Sequence, residues 1–348
     1  MKKLFFVVLA LSLSVANLYT WAESSPIKSD SPDEYVVVKG DTLWGISDLF
    51  LESPWMWPEI WQANPDIENP HLIFPGDVVR LVYVDGKPRL TVNRTVRLAP
   101  NSDAKLKPTI RVMPLDEAIP AVPLDKIASY LSRSRIVMPD EIAGAPYMLA
   151  GPERRLIVGE GDLAYARGTF DEDIDNYNIF REGEKFIDEE TGELLGIHAL
   201  GVGGARVRNV DGDIGRLDIT RSYEEIRVAD VLLPARERSI DSIFYPSAPD
   251  FPIEAEILAV EGGVNRVGKM DIVIINKGDR EGVQAGNVFR VFVRGELVDD
   301  RVAGERIQLP DEEAGLVMVF NTFDKLSFGI VMESTRPMTV GDALRNPQ

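Results

Sequence analysis

The 348-residue chain carries 56 acidic against 38 basic side chains, a formal net charge of −18, and no cysteine. The charge excludes tight non-specific binding to nucleic acid or anionic lipid, both of which need a cationic face. The missing thiol excludes disulfides, thiolate metal sites and cysteine nucleophiles. The length leaves room for two or three domains, and 45% hydrophobic residues mark a globular protein. The chain opens on Lys2-Lys3, an apolar run from Leu4 to Val15 and small Ala22. That is the pattern of a secretory signal peptide over residues 1–22, cut after Ala22 or, as a second possibility, after Ala16. The apolar run is too short for a membrane span. The mature chain is therefore expected to be exported, to have no transmembrane segment, and to be periplasmic where the cell has two membranes.

Tyr35 to Lys39 reads as a strand, and Gly40-Asp41 breaks it. Thr42 or Asp41 can cap the next helix with a side-chain oxygen. Leu43, Ile46, Leu49 and Phe50 then recur at helical spacing. Pro58 suits the first turn of a second helix carrying Glu59, Ile60, Trp61 and Ala63, which stops at Asn64-Pro65. Phe74-Pro75-Gly76-Asp77 is a turn, and Val78 to Val82 is the returning strand. The order is strand, helix, helix, strand.

In these residues the chain resembles the LysM family of glycan-binding modules. The likeness rests on the opening strand, the GDTLW turn at Gly40 to Trp44, Asn64-Pro65 after the second helix, and the FPGD turn. The Trp-rich insert from Ser53 to Trp61 departs from it. The resemblance implies a βααβ module over residues 34–84, with a shallow groove between the first turn and the segment from Asn64 to Phe74. Gly40, Asp41, Thr42 and Leu43 are the candidates for one wall. Asn64, Pro65, Asp66, Ile67, Ile73 and Phe74 are those for the other. Facing backbone turns supply partners for acetamide groups, and apolar surface suits pyranose faces. Trp44, Ile46, Leu49, Ile60 and Trp61 are expected in the core, since a module this small must bury its large side chains.

Beyond Val82, Asp85-Gly86 predicts a hairpin turn. Residues 99–123 are rich in proline and read as a linker or an extended crossing segment, and Pro123 to Arg133 as a short helix; 85–145 thus form a connecting region. From Tyr147 short strands alternate with turns at Thr191-Gly192 and Asp211-Gly212, which predicts a small barrel or sandwich over 146–234. The pattern returns over 250–348 as an internal repeat. Residues 219–232 align without gaps on 331–344, NIFR at 178–181 matches NVFR at 287–290, and a Gly-Asp turn precedes each. The fold class is α+β, a βααβ module followed by mainly-β repeated domains.

No catalytic constellation emerges. His71 lies in the module's loop, and His198 sits between Ile197 and Ala199 with no nucleophile elbow nearby. Asp171, Asp173, Asp175 and Glu182 fall at calcium-loop positions, but no helix pattern flanks them. A solvated acidic loop is expected, with no metal and no cofactor. GVGGA at 201–205 lacks the strand–helix setting of a phosphate loop and reads as a bulge or turn.

NKGDREGVQAGNVFRV and FDKLSFGIVMESTRPMTVGD resemble C-terminal β modules of envelope proteins that dock onto secretion or flagellar rings. With the export signal and one glycan-binding module, the whole chain resembles the type IV pilus secretin-associated protein family (TsaP). That resemblance implies a non-enzymatic periplasmic adaptor. Its partners would be peptidoglycan glycan strands and an outer-membrane secretin or similar envelope ring protein, with no nucleic acid. The alternative is a cell-wall hydrolase, a carboxylate-dependent glycosidase targeted by the same module.

Overall fold

The computed structural model describes residues 26–61, 73–84, 86–93, 120–122, 127, 130, 134–188, 191–235, 245–261 and 266–347. The expected signal peptide lies outside the described residues. Strand β1 (Glu34–Val36) leads to helix α1 (Leu43–Phe50), a 3-10 turn at Pro54–Met56 and helix α2 (Trp57–Trp61). Strands β2 (Val78–Val84) and β3 (Lys87–Asn93) complete an antiparallel sheet in the order β1-β2-β3. The hairpin closes with Val84 opposite Lys87, and Gly86 takes the left-handed φ of 77° that the tight turn requires. Leu43, Ile46, Phe50, Trp57, Trp61, Ile73 and Leu90 form the module's core. Leu49, expected there, is 41% exposed, because α1 turns its 43/46/50 face inward and Leu49 lies beside it.

Two closed six-stranded barrels follow. The strands of the first region are β4 (Ser134–Val137), β5 (Tyr147–Ala150), β6 (Ile157–Val158), β7 (Leu163–Arg167), β8 (Asn176–Ile187), β9 (Leu194–Asp211), β10 (Ile214–Ser222), β11 (Ile226–Arg227) and β12 (Val231–Pro234). The ring runs β5-β7-β10-β9-β8-β12, and β4 adds to β9 outside it. The second set is β13 (Glu254–Val260), β14 (Arg266–Val267), β15 (Ile272–Ile275), β16 (Val288–Val293), β17 (Leu297–Asp300), β18 (Glu305–Gln308), β19 (Glu312–Thr322), β20 (Ser327–Ser334), β21 (Met338–Thr339) and β22 (Ala343–Arg345). Its ring runs β13-β15-β20-β19-β16-β22, the same order strand for strand.

The repeat holds at the level of register. In β9–β10 the pairs Gly203↔Ser222, Arg206↔Asp218 and Asn209↔Arg216 recur in β19–β20 as Gly315↔Ser334, Met318↔Ile330 and Asn321↔Phe328, each 112 positions on, with both register shifts repeated. The window 219–232 therefore does lie on 331–344. The NIFR–NVFR match does not survive: Ile179 pairs with Gly203 and Val291 with Gly315, so the two strings are three residues out of register. Phe289 instead takes the inward place of Tyr177, and both are buried. The Gly-Asp turn is also relocated. The Gly159 N–H donates to Asp162 Oδ2 (2.9 Å), and its counterpart is Gly268 to Asp271 Oδ2 (2.8 Å), not Gly278-Asp279. GVGGA lies within β9 beside a bulge, and the acidic stretch passes into strand β8 at Asn176, which excludes a calcium-type loop.

Where the barrels differ is on their outer walls. Met318, Phe320, Phe328, Ile330 and Met332 of the second barrel point away from its interior and are buried. The matching positions of the first barrel are Arg206, Arg208, Arg216, Asp218 and Thr220, which are exposed or half-exposed. The second barrel's β19 and β20 are thus covered on both faces and read as near-continuous apolar runs. Val122, Ile127 and Tyr130 cover the outer wall, joined by Trp44 and Trp55 of the N-terminal module. Tyr130 meets Phe328 edge-on at 4.9 Å and Phe320 at 6.1 Å. Trp44 is therefore buried as expected, but between module and barrel rather than in the module's own core.

Candidate functional site

The turn between β1 and α1 is built by two short polar side chains. Asp41 Oδ2 accepts the Val38 N–H (2.8 Å) and the Tyr35 hydroxyl (3.0 Å), which ties the turn back to its own strand. Burial, then the bond to Asp41, holds the Tyr35 hydroxyl above its ordinary pKa. Gly40 has a φ of 100°, a value few side-chain-bearing residues adopt. Thr42 is the helix cap: its Oγ1 accepts the Gly45 N–H at 3.0 Å. The sequence left Thr42 and Asp41 as alternatives, and the structure gives each a separate task.

A helix leaves its first N–H groups without intrahelical partners. Here two of them point at the chain's own backbone. The Leu43 N–H donates to the Pro120 carbonyl (3.0 Å) and the Trp44 N–H to the Ala121 carbonyl (3.1 Å). The Ala121 side chain joins the module's core, and Val122 is fully buried against the second barrel. Sequence reasoning left this stretch as a linker or an extended crossing segment, and at Pro120–Val122 it is the second. Its signal was the apolar patch AIPAV (118–122) inside a polar, proline-rich run.

On the other side, the Phe74 N–H donates to Asp77 Oδ2 (3.0 Å), and the Gly76 N–H donates to the Val37 carbonyl (2.8 Å). The FPGD turn is thereby stitched to the first strand. Ile73 is 1% exposed and Leu43 is 0% exposed, both within the core. Their side chains hold the two turns together within the core, which leaves their backbone to face a groove. Phe74 is half-buried and Gly40 exposed. Asn64, Pro65, Asp66 and Ile67, with His71, lie outside the described residues.

His198 lies mid-strand in β9, its ring tilted 36° to that of Phe186 at 6.2 Å, and burial lowers its pKa. A cleft of 710 Å³ opens between the barrels, lined among others by Glu184, Lys185, Glu254, Glu256 and Lys277. In it Asp311 is gripped by Arg345, whose hydrogen bond holds the carboxyl below its usual range. Among the described residues no group of three or more His, Asp or Glu side chains is placed to hold a metal, and no helix is long and apolar enough to cross a membrane.

Residues 35–82 match the LysM domain family. No curated protein matches the chain.

Proposed function

We propose, taking the LysM domain at residues 35–82 as premise, that this protein is a non-enzymatic adaptor of the periplasm that grips peptidoglycan at one end and an envelope complex at the other. A LysM domain implies binding of peptidoglycan or a related glycan. The turn at Gly40 to Trp44 is the glycan-facing element of this reading, and it acts through backbone N–H groups. The two barrels form the partner-binding body. By resemblance, the partner is a type IV pilus secretin or a similar ring. One LysM site binds weakly, and copies arrayed around a ring gain avidity without new contacts.

The observation that carries the reading is the LysM domain joined to a duplicated barrel that still exposes large apolar side chains such as Leu156, Phe251 and Val302. The test has three arms. The purified protein should pellet with sacculi. It should leave them uncut in a zymogram, where clearing would establish the rival hydrolase. Full-length protein should retain a secretin from envelope extract; capture of no ring component would refute the adaptor half. Mass spectrometry of the cellular protein should find an N-terminus near Glu23, and an intact Met1 would refute export.

A further inference from the structure

We infer that the chain occupies its own glycan-binding turn, with Pro120–Val122 as a built-in competitor that a glycan must displace. This rests on the reading of the Gly40–Trp44 turn as glycan-facing. A sugar acetamide would offer that turn a carbonyl oxygen. The Pro120 and Ala121 carbonyls already sit there, 3.0 and 3.1 Å from the Leu43 and Trp44 nitrogens. Both are peptide carbonyls, chemically close to an acetamide, and each N–H can serve one acceptor well. Proline at 120 and at 123 stiffens the segment, so little chain entropy opposes its seating.

The competitor is also the joint between the module and the second barrel. Ala121 is 2% exposed in the module's core, and Val122 is 0% exposed in the layer over the barrel wall. Lifting the segment off Leu43 and Trp44 pulls both side chains from their seats. Glycan capture and module docking are therefore linked: glycan loosens the module from the barrel, and loosening the module raises glycan affinity by the same factor.

The experiment uses the full chain. Amide hydrogen exchange is followed with and without a saturating N-acetylglucosamine tetramer, and binding to purified sacculi is titrated in parallel. Glycan should speed exchange around 120–130 while the Leu43 and Trp44 amides, which only change acceptor, stay protected. Glycan binding with no change at 120–130 overturns the competition and leaves the glycan reading intact. No binding of the tetramer or of sacculi overturns both. A second variant, Val122→Glu, places a charge where no water reaches and expels the segment. It should bind sacculi about tenfold tighter, the gain when a competent state held at about one molecule in ten becomes the only one. Equal or weaker binding by Val122→Glu, with the module's aromatic circular dichroism retained, also overturns the inference. The exchange measurement on the unaltered chain decides the matter if that variant does not fold.

Discussion

Asp230 and Asp342 occupy matching positions in the two barrels, and their surroundings make them unlike. Each accepts a backbone N–H three residues back, from Arg227 and Thr339, both at 2.7 Å. Asp230 is also forked by Arg181, with Nε–Oδ1 at 3.0 Å and Nη2–Oδ2 at 2.9 Å. The position matching Arg181 is Val293, so Asp342 has no such cation, and burial raises its pKa. An acid whose folded pKa is raised binds its proton more tightly folded than unfolded. Asp342 therefore costs stability as pH rises through the window above the unfolded value. At pH 7, D230N should lose about 1–3 kcal/mol, since it removes the buried charge from the fork on Arg181, which keeps only Glu224 and the Glu225 carbonyl. D342N should change stability by less than about 1 kcal/mol. Denaturant unfolding of both variants checks the contrast; equal losses would refute it. The sequence alignment showed these two aspartates as equivalents. It could not show the difference, because Arg181 lies 49 residues from its partner along the chain. At the turn between β1 and α1, the roles of Asp41 and Thr42 were legible because capping chemistry is local. Ala121 was not, because its partners are set by tertiary packing.

At the scale of elements, the glycines of the long barrel hairpins matter more than their number suggests. A Cβ on Gly203 would run into the Arg221 carbonyl oxygen, and one on Gly315 into that of Glu333, the matching atom. These are close crossings of backbone at a bulge, where only a missing side chain fits. Gly203→Ala and Gly315→Ala should each cost about 1–3 kcal/mol. Gly159→Ala, facing open space, should stay within about 0.5 kcal/mol. Thermal unfolding of the three variants tests this, and an unaffected Gly315→Ala would undo the crossing argument. The GVGGA string was legible as a bulge, and the Asp85-Gly86 turn was read directly from its glycine, whereas Thr191-Gly192 belongs to a longer connection, 188–193. Register was legible in the gap-free window 219–232 but not in the NxFR strings, where a slip of three still set apolar residues over apolar residues.

The barrels are joined by a small ion cluster. Glu193, in the β8–β9 turn, meets Lys325 Nζ at 2.6 Å and Arg280 Nη1 at 3.0 Å. The hydrogen bond from Lys325, then that from Arg280, lowers the Glu193 pKa. A depressed folded pKa means the contribution is present above the unfolded value, about 4.3, and is lost as pH falls through the folded one. The contact between barrels should thus hold at neutral pH, weaken in acid, and weaken in high salt because the groups are exposed. Glu193→Gln should mimic acid at pH 7. Faster amide exchange at 188–194 and 323–326 in Glu193→Gln is the expected readout; exchange equal to the parent would exclude the clamp.

For the whole molecule, the module and the second barrel share one apolar layer, so the chain does not divide cleanly into a glycan half and a partner half. Deleting residues 34–93 would strip Trp44 and Trp55 from the layer over the second barrel and leave its remaining cover, Val122, Ile127 and Tyr130, without the module that seats it, opening apolar surface to water. That deletion should bind a hydrophobic dye and self-associate, whereas the full chain should not. A monodisperse, dye-silent deletion would show the module to be a free appendage. The apolar runs GLVMVF (315–320) and FGIVM (328–332) announced two-sided burial in the sequence. What covers the second side was hidden, because the cover comes from residues some 200 positions away.

The joint between the barrels is also one-sided. Arg280 stands in the β15–β16 connection, twelve residues long (276–287), where the first barrel makes the same connection, β7–β8, in eight (168–175). Glu193 stands in the β8–β9 turn, where the second barrel instead sends out the β17–β18 arm. Each barrel therefore owns one half of the lock and lacks the other. A head-to-tail contact between like units propagates without end unless something closes it. Here the first barrel has no counterpart of Arg280 and the second none of Glu193, so the contact joins unlike flanks and is made once among the described residues.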